Sequence, residues 1–423
     1  MEPPPGRCGD MNFPIDGERL SRELEQLAGI SEMTPPAVTR VVFSPADLRA
    51  REYVDGLCRE AGLALRSDAV GNTFARWNGD AAELAAIGTG SHIDAIPNAG
   101  SYDGTVGVLG GLEAIRALQR GGFHPRRSIE LLIFTAEEPT RFGIGCLGSR
   151  FLAGLSAMAG ESLRDARGQT LNQVREAAGF TGSLEGTRLP AGYYSAFVEL
   201  HIEQGPLLER AGVPVGVVTA IAAPAALRLR IEGEGGHAGA VLMPDRHDAF
   251  LAAAEIALAL EKAARSSGAI DTVATTGMCE VFPGAINSIP SRVQMTVDVR
   301  DTDESRRDRV LRQLAQAIPE TAERRGVRIE EEIISVDAPA VCDPQVVGVL
   351  EEACRTQRLA YQKMVSRAYH DSLFVSRFAP TAMLFIPCRG GVSHRPDEYA
   401  SPEAIAGGAA VLAEALAKLS LLS

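Results

Sequence analysis

The chain lacks the cysteine pairs that mark a disulfide framework or a structural zinc knuckle. Its seven cysteines are odd in number, scattered from Cys8 to Cys388, and none stands in a C-x-x-C pair. Positive charge is also scarce: the formal net charge of -12 argues against nucleic acid, because a polyanion is normally met by a basic face. No run of about 18 apolar residues occurs. Even the alanine-rich stretch from Ala249 to Ala264 is broken by Glu255, Glu261 and Lys262, so no membrane partner is expected. The stretch from Met1 to Phe13 has three prolines, two acids and no apolar core, which does not read as a secretory signal. Beyond that proline-rich start there is no low-complexity segment and no internal repeat. These absences point to a protein of the reducing cytoplasm.

A length of 423 residues exceeds one ordinary compact core, so roughly two or three domains are expected. The first half alternates apolar runs with amphipathic segments, the signature of an α/β sheet with helices on its faces. Ser44-Pro45 opens a helix with Leu48, Val54, Leu57 and Cys58 at helical spacing. Ile129 to Phe134, Phe197 to Leu200 and Met383 to Ile386 read as short buried strands, and Ser401-Pro402-Glu403 opens a last helix running towards Leu421. Between about Gly216 and Ala338 the pattern changes. Leu227, Leu229 and Ile231 alternate with Arg228, Arg230 and Glu232, a strand with one buried face. A helix from Asp248 to Arg265, strands at Thr272 to Phe282 and Val293 to Val299, a helix from Glu304 to Arg325 and a strand from Val327 to Ile334 follow. The order β-α-β-β-α-β predicts a ferredoxin-like unit over 216–338, inserted into an α/β mixed-sheet domain made of 1–215 and 339–423.

Four segments end a hydrophobic run on metal-ligand chemistry: Ser91-His92-Ile93-Asp94, Thr135-Ala136-Glu137-Glu138, Glu199-Leu200-His201 and Val392-Ser393-His394. A fifth acid, Asp103, lies in the Gly-rich loop after the first. Strands that stop on such residues gather them at one edge of a sheet. Two neighbouring ions need one shared ligand and separate ligands for each. His92 and His201 suit one ion, Glu138 and His394 the other, and Asp103 the bridge. Imidazoles mixed with carboxylates suit manganese, zinc, cobalt or nickel rather than calcium or a thiolate metal. Asp94 is placed to orient the His92 ring through its other nitrogen. Pro139 disfavours a helical Glu138, so in an extended segment Glu137 and Glu138 point apart. Glu138 is then the ligand and Glu137 the base that takes a proton from water.

Taken singly, each residue has a plainer reading. Asp103 fits a turn or a helix cap, and Glu137-Glu138 a solvated loop. Joint occurrence at corresponding strand ends is what favours the metal site. Four of the ligands precede the inserted unit and His394 follows it, so the metal domain is assembled from both ends of the chain.

Gly90-Ser91-His92-Ile93-Asp94 with Asp103-Gly104, Glu137-Glu138, His201-Ile202-Glu203-Gln204-Gly205-Pro206 and Gly236-His237-Ala238-Gly239 resemble the hydantoinase/carbamoylase amidohydrolase branch of the two-metal aminoacylase and carboxypeptidase superfamily. That branch includes N-carbamoyl amino acid hydrolases, β-ureidopropionase, allantoate amidohydrolase and ureidoglycolate amidohydrolase. Pro139 and the run from Ser366 to Ser372 are most similar to the ureidoglycolate-cleaving members. Carbamoylases and allantoate hydrolases usually carry glycine at the first position and Gly-Ala-Gly-His-Asp over Arg367 to Asp371. Tyr369 therefore shapes the substrate pocket differently.

The resemblance implies further roles. His237 and Asn287 would donate to the developing oxyanion, Arg300 would clamp a substrate carboxylate, and Gln204 and His370 would line the pocket. Without it, His237 is a loop histidine, Asn287 a turn former before Ile289-Pro290, and Arg300 a strand surface residue. Two divalent ions per subunit are implied, manganese first, and the inserted unit would act as lid and dimerisation domain of a homodimer. The strand from Leu227 and the alanine-rich helix are interface candidates that an ordinary core explains as well. The implied reaction is cleavage of the ureido C–N bond of (S)-ureidoglycolate to glyoxylate, ammonia and carbon dioxide. An N-carbamoyl-L-amino acid hydrolase, an allantoate amidohydrolase or a dipeptidase keeps the chemistry and changes the substrate. A noncatalytic binding protein would be expected to have lost a ligand or Glu137, and a purely structural oligomer leaves the clustered ligands without a cause.

Overall fold

The computed structural model describes residues 13–155 and 159–422, so Cys8 and all of the proline-rich start except Phe13 lie outside the described residues. The chain divides into two compact units. One comprises the chain up to Ala220, Cys342–Met364 and the chain from His370 onward; the other comprises Ile221–Val341 and Val365–Tyr369.

In the first unit β1 (Ala64–Ser67), β2 (Thr73–Trp77), β3 (Ala86–His92), β4 (Ile129–Phe134), β5 (Tyr194–Ile202) and β6 (Val215–Ile221) enter one sheet. The chain then builds β7 (Ala223–Glu232), β8 (Val273–Phe282), β9 (Arg292–Asp301) and β10 (Arg328–Val336) elsewhere, and returns to the first sheet as β11 (Thr381–Ile386). These strands lie in the order β6-β11-β5-β3-β4-β2-β1. β11, β5, β3 and β4 are parallel, while β6, β2 and β1 run antiparallel to their inner neighbours. Every residue of β3, β4 and β11 is buried, which is why these segments read as unbroken apolar runs rather than alternating ones.

Five long helices accompany these strands: α1 (Pro45–Glu60), α2 (Thr105–Arg120), α3 (Ala249–Ser266), α4 (Glu304–Arg325) and α5 (Pro402–Leu421). The Ser44 and Ser401 hydroxyls accept the backbone N–H groups of Asp47 and Ala404, capping α1 and α5. α2 and α5 pack on each other and on the parallel strands. By length and composition α5 would cross a membrane, yet 67% of its most apolar stretch is buried inside the protein, and its Lys418 pairs with Glu414 at 3.3 Å. It is a core helix that covers one face of the sheet.

The close fit of α2 sets the height of the loop before it. A Cβ on Gly107 would stand 2.3 Å from the Leu200 carbonyl oxygen and 2.6 Å from Ser91 Cβ. Glycine there lets the helix backbone rest on β5 and β3, with its first turn at the C-terminal ends of those strands. Register places the rest: Thr89 pairs with Val198, so three residues further along each strand His92 and His201 stand level at that edge.

The second unit is a four-stranded antiparallel sheet in the order β8-β9-β7-β10, with α3 and α4 on one face. Leu229, Ile231, Ile256, Leu260, Val293, Met295, Val297, Leu314 and Ile318 form its core. That is the ferredoxin-like arrangement the β-α-β-β-α-β order implies. The strand from Leu227 lies inside the sheet, with Leu229 and Ile231 in the unit's own core, so the ordinary core accounts for its alternation. One sequence expectation needs correction. Val365–Tyr369, read as part of the metal domain, packs with the second unit. The cause is local bonding: the Ala222 N–H donates to the Ser366 carbonyl, Arg367 Nη2 donates to Asp271 Oδ1 at 2.5 Å, and the Arg300 guanidinium lies over the Tyr369 ring at 5.0 Å.

Candidate metal centre

Asp103 is the centre of the site. Its Oδ1 lies 3.5 Å from His92 Nε2 and 3.2 Å from His201 Nε2, and its Oδ2 lies 3.2 Å from His394 Nε2. Glu138 Oε1 is 3.3 Å from the same His394 nitrogen. Two three-residue groups share the aspartate: His92, Asp103 and His201 on one side, Asp103, Glu138 and His394 on the other. His92, His201, Asp103 and Glu138 are buried, while the His394 side chain is 46% exposed and forms the open side.

The imidazoles are oriented by backbone acceptors. His92 Nδ1 lies 3.0 Å from the Asp94 carbonyl oxygen, and His201 Nδ1 lies 2.9 Å from that of Ile202. A carbonyl only accepts, so each Nδ1 carries the proton and each Nε2 presents a lone pair. The Gly104 N–H, which donates to His201 Nε2 at 3.1 Å, requires the same tautomer. Lone pairs aimed at a carboxylate from just over 3 Å repel unless a cation or a proton lies between. Three imidazoles, one flanking carboxylate from Glu138 and a shared carboxylate with one oxygen towards each group are the donor chemistry of a pair of divalent ions.

Backbone geometry serves the same end. Asp103-Gly104 precedes α2 with Gly104 at φ +67°, where a Cβ would fall 2.5 Å from the His92 ring. Ala136, Gln204 and His394 all hold left-handed backbone, at φ of 54°, 55° and 59°. Non-glycine residues adopt that region reluctantly, and here all three lie on segments that carry site residues.

Asp94 does more than face the His92 ring. Its two oxygens accept the backbone N–H groups of Glu137 and Glu138 at 3.2 and 3.1 Å, joining the end of β3 to the loop after β4. The two glutamates then diverge, Glu138 towards His394 and Glu137 towards His92, with Glu137 Oε2 at 3.8 Å from His92 Nε2. Burial holds the Glu137 carboxyl well above the ordinary carboxylate range. Gln204 Nε2 donates to Asp103 Oδ2 at 2.6 Å, while its buried Oε1 has no protein partner. His370 is buried with its ring 4.5 Å from that of His201.

The second unit carries the remaining sequence-derived residues. His237 pairs across a short bridge with Ser288, next to Asn287, and both His237 and Asn287 are exposed. The Gly239 N–H donates to His237 Nδ1 at 3.1 Å, which leaves the ring proton on Nε2 and makes that atom a donor. Arg300 forks onto Asp298 through Nε at 2.8 Å and Nη2 at 3.1 Å.

Sequence reasoning missed residues whose partners are not local. Arg40 is buried and donates to the carbonyls of Leu27, Ile30 and Ile93, the last lying between His92 and Asp94. Cys146, read only as a scattered thiol, donates to Glu137 Oε1 at 3.4 Å. Glu199 accepts from Ser91 Oγ and Ser372 Oγ beneath His201. Of the three, only Glu199 carried a signal, its place two residues before a ligand on a strand that is otherwise apolar.

The sequence pattern of the peptidase family M20/M25/M40 matches residues 88–418, and the chain belongs to that family of metal-dependent hydrolases. The ureidoglycolate hydrolase of Oryza sativa subsp. japonica is 52% identical over 98% of this chain and 87% of its own length. That of Arabidopsis thaliana is 50% identical over 99% and 90%. The N-carbamoyl-L-amino acid amidohydrolase of Geobacillus stearothermophilus is 38% identical over 94% and 97%. Two crystal structures of AtUAH, one with glyoxylate and one with (S)-hydroxyglycine, each match with a TM-score of 0.92 and 49% identity, covering 98% of this chain and 100% of theirs.

Without metal, the carboxylates draw protons instead. Burial alone disfavours an imidazolium at His92, yet Glu137, Asp103 and Asp94 together hold its pKa well above 6.5. Hydrogen bonds to Asp103 and Glu138 push His394 up to about 11. A raised imidazole pKa adds stability that is complete below the unfolded value near 6.5 and is lost as pH climbs towards the folded one. Chelator-treated protein should therefore lose melting temperature from about pH 6.5 up towards about pH 11, whereas metal-loaded protein, whose rings are already deprotonated, should change little. Parallel melting curves for the two forms would contradict this assignment of the charges.

Proposed function

We propose that this chain is a two-metal amidohydrolase that cleaves the ureido C–N bond of (S)-ureidoglycolate, yielding glyoxylate, ammonia and carbon dioxide. The observation that carries the reading is the Asp103-centred ligand set in a chain about half identical, almost end to end, to two ureidoglycolate hydrolases. The molecules held by the AtUAH structures fit it chemically. Hydroxyglycine is what remains after the ureido group is hydrolysed, and glyoxylate is what hydroxyglycine becomes on losing ammonia.

Bound divalent ions, manganese before zinc, cobalt or nickel, would polarise the ureido carbonyl and acidify water. His92 and His201 would hold one, Glu138 and His394 the other, with Asp103 between. Glu137, buried and of high proton affinity, takes the proton from the attacking water and returns it to the departing nitrogen. His237 Nε2–H and the Asn287 amide supply donors to the tetrahedral oxyanion. Arg300, held flat between Asp298 and the Tyr369 ring, presents its guanidinium to the substrate carboxylate. Gln204 and His370 line the pocket, and the Gln204 Oε1 suits a ureido N–H. The second unit acts as lid and dimerisation domain. α3 buries Ile256 and Leu260 but leaves Phe250 43% and Leu258 66% exposed, an apolar face for a second copy. A cytoplasmic location accords with six free cysteines among the described residues.

A substrate panel separates this reading from its relatives. With Mn2+ or Zn2+ restored to metal-free protein, ammonia release should favour (S)-ureidoglycolate over allantoate and N-carbamoyl amino acids by roughly 100-fold in kcat/KM. A preference for a carbamoyl amino acid would move the assignment to that neighbour. Glu137→Gln should retain its metal content while kcat falls by several orders of magnitude; near-normal turnover would remove Glu137 from its role. In light scattering the protein should have the mass of a dimer and Leu258→Arg that of a monomer. A monomeric wild type at all concentrations would overturn the interface.

A further inference from the structure

Between the shared ligand and the exposed one lies a buried acid that the hydrolytic chemistry does not use. Glu398 is only 5% exposed. Its Oε1 accepts the backbone N–H groups of Tyr102 at 2.7 Å and Asp103 at 3.1 Å. Its Oε2 lies 2.8 Å from Ser393 Oγ, and that hydroxyl lies 2.7 Å from Asp103 Oδ2. One side chain thus touches the loop that carries the shared aspartate and the residue just before His394, segments 290 residues apart in sequence. Both are loops beyond the ends of strands, with no ladder to fix one against the other. The loop is shaped for this contact. A Cβ on Gly100 would come within 2.3 Å of Glu398 Cβ, so glycine there admits the glutamate stem.

We infer that Glu398 is a positioning residue, a splint that fixes the distance between Asp103 and His394 and thereby forms the metal group on the Glu138 side. The inference rests on the two-metal reading above. The other group needs no such splint, because His92 and His201 belong to neighbouring strands in fixed register. It follows that the two ions respond unequally to loss of Glu398. What matters is reach and bonding direction, not charge: a glutamine spans the same gap, accepting from the two backbone N–H groups and donating to Ser393, whereas aspartate keeps the charge and falls one methylene short.

Titration of metal-free protein with Mn2+, read by the electron paramagnetic resonance of the free ion and paired with thermal melting, tests this. Wild type and Glu398→Gln should each bind two ions with similar affinity. Glu398→Asp should bind the first ion normally and the second roughly 10- to 100-fold more weakly. Ser393→Ala removes one arm of the splint from a partly exposed position and should weaken the second ion alone, with an unchanged melting temperature. The inference is overturned if Glu398→Asp and Ser393→Ala bind both ions as wild type does, or if Glu398→Gln loses the second ion, which would make charge the operative property. Failure of wild type to take up any Mn2+ would instead strike at the two-metal reading.

Discussion

Everything in the first unit answers to one electrostatic problem, the burial of carboxylates around Asp103. Asp94, Asp103, Glu137 and Glu138 are all at least nine-tenths buried within a few ångströms of one another, with Glu199 and Asp371 close behind. Isolated from water, such a group cannot stay ionised without compensating positive charge. Arg40, the buried guanidinium near Asp94, spends its donors on three carbonyls and neutralises little of it. The protein's own answer, three imidazoles on the two oxygens of one aspartate, is complete only when a cation or a proton separates the facing lone pairs. A cation bound among these groups would offset their burial and so stabilise the folded chain over the unfolded one.

The backbone is bent to hold that cluster. Ala136, Gln204 and His394 sit in left-handed conformations that cost on the order of 1–3 kcal/mol each and persist only where surrounding contacts over-determine them. Those contacts are visible: Asp94 receives the two N–H groups after Ala136, and Gln204 and Ser393 both reach Asp103 Oδ2. Strain is thus concentrated where strands release their chains, and the regular ladder beneath supplies the rigidity that supports it.

This division also explains what could be read in advance. His92, Glu138, His201 and His394 were legible because a ligand-type residue ending an apolar run is chemically out of place, and the parallel strands because burial on both faces leaves an unbroken apolar pattern. Asp103 was legible from its glycine loop. Arg40, Cys146 and Glu398 were not, since each owes its position to a backbone or carboxylate group distant in sequence and carries no pattern of its own. The alternation at Leu227 was correctly read as one buried face, but periodicity does not say against what that face is buried; a strand in mid-sheet and one at an interface look alike.

The insertion itself has a physical logic. The Asp337 N–H donates to the Pro224 carbonyl in the second unit, and the Cys342 N–H to that of Thr219 in the first, so the departing and returning chains run side by side on both sides of the boundary. Inserting a domain between two neighbouring chain positions closes no new loop in the host, and its entropic cost to the first unit is small. The metal ligands can therefore stay fixed while the inserted unit changes. Val365–Tyr369 qualifies that independence, for it leaves the first unit, joins the second through Arg367 and Tyr369, and returns at His370 under the metal centre. A substitution at Tyr369 bears on Arg300 on one side and on the backbone before His370 on the other. That short segment belongs to the second unit by its contacts although the chain on either side of it belongs to the first.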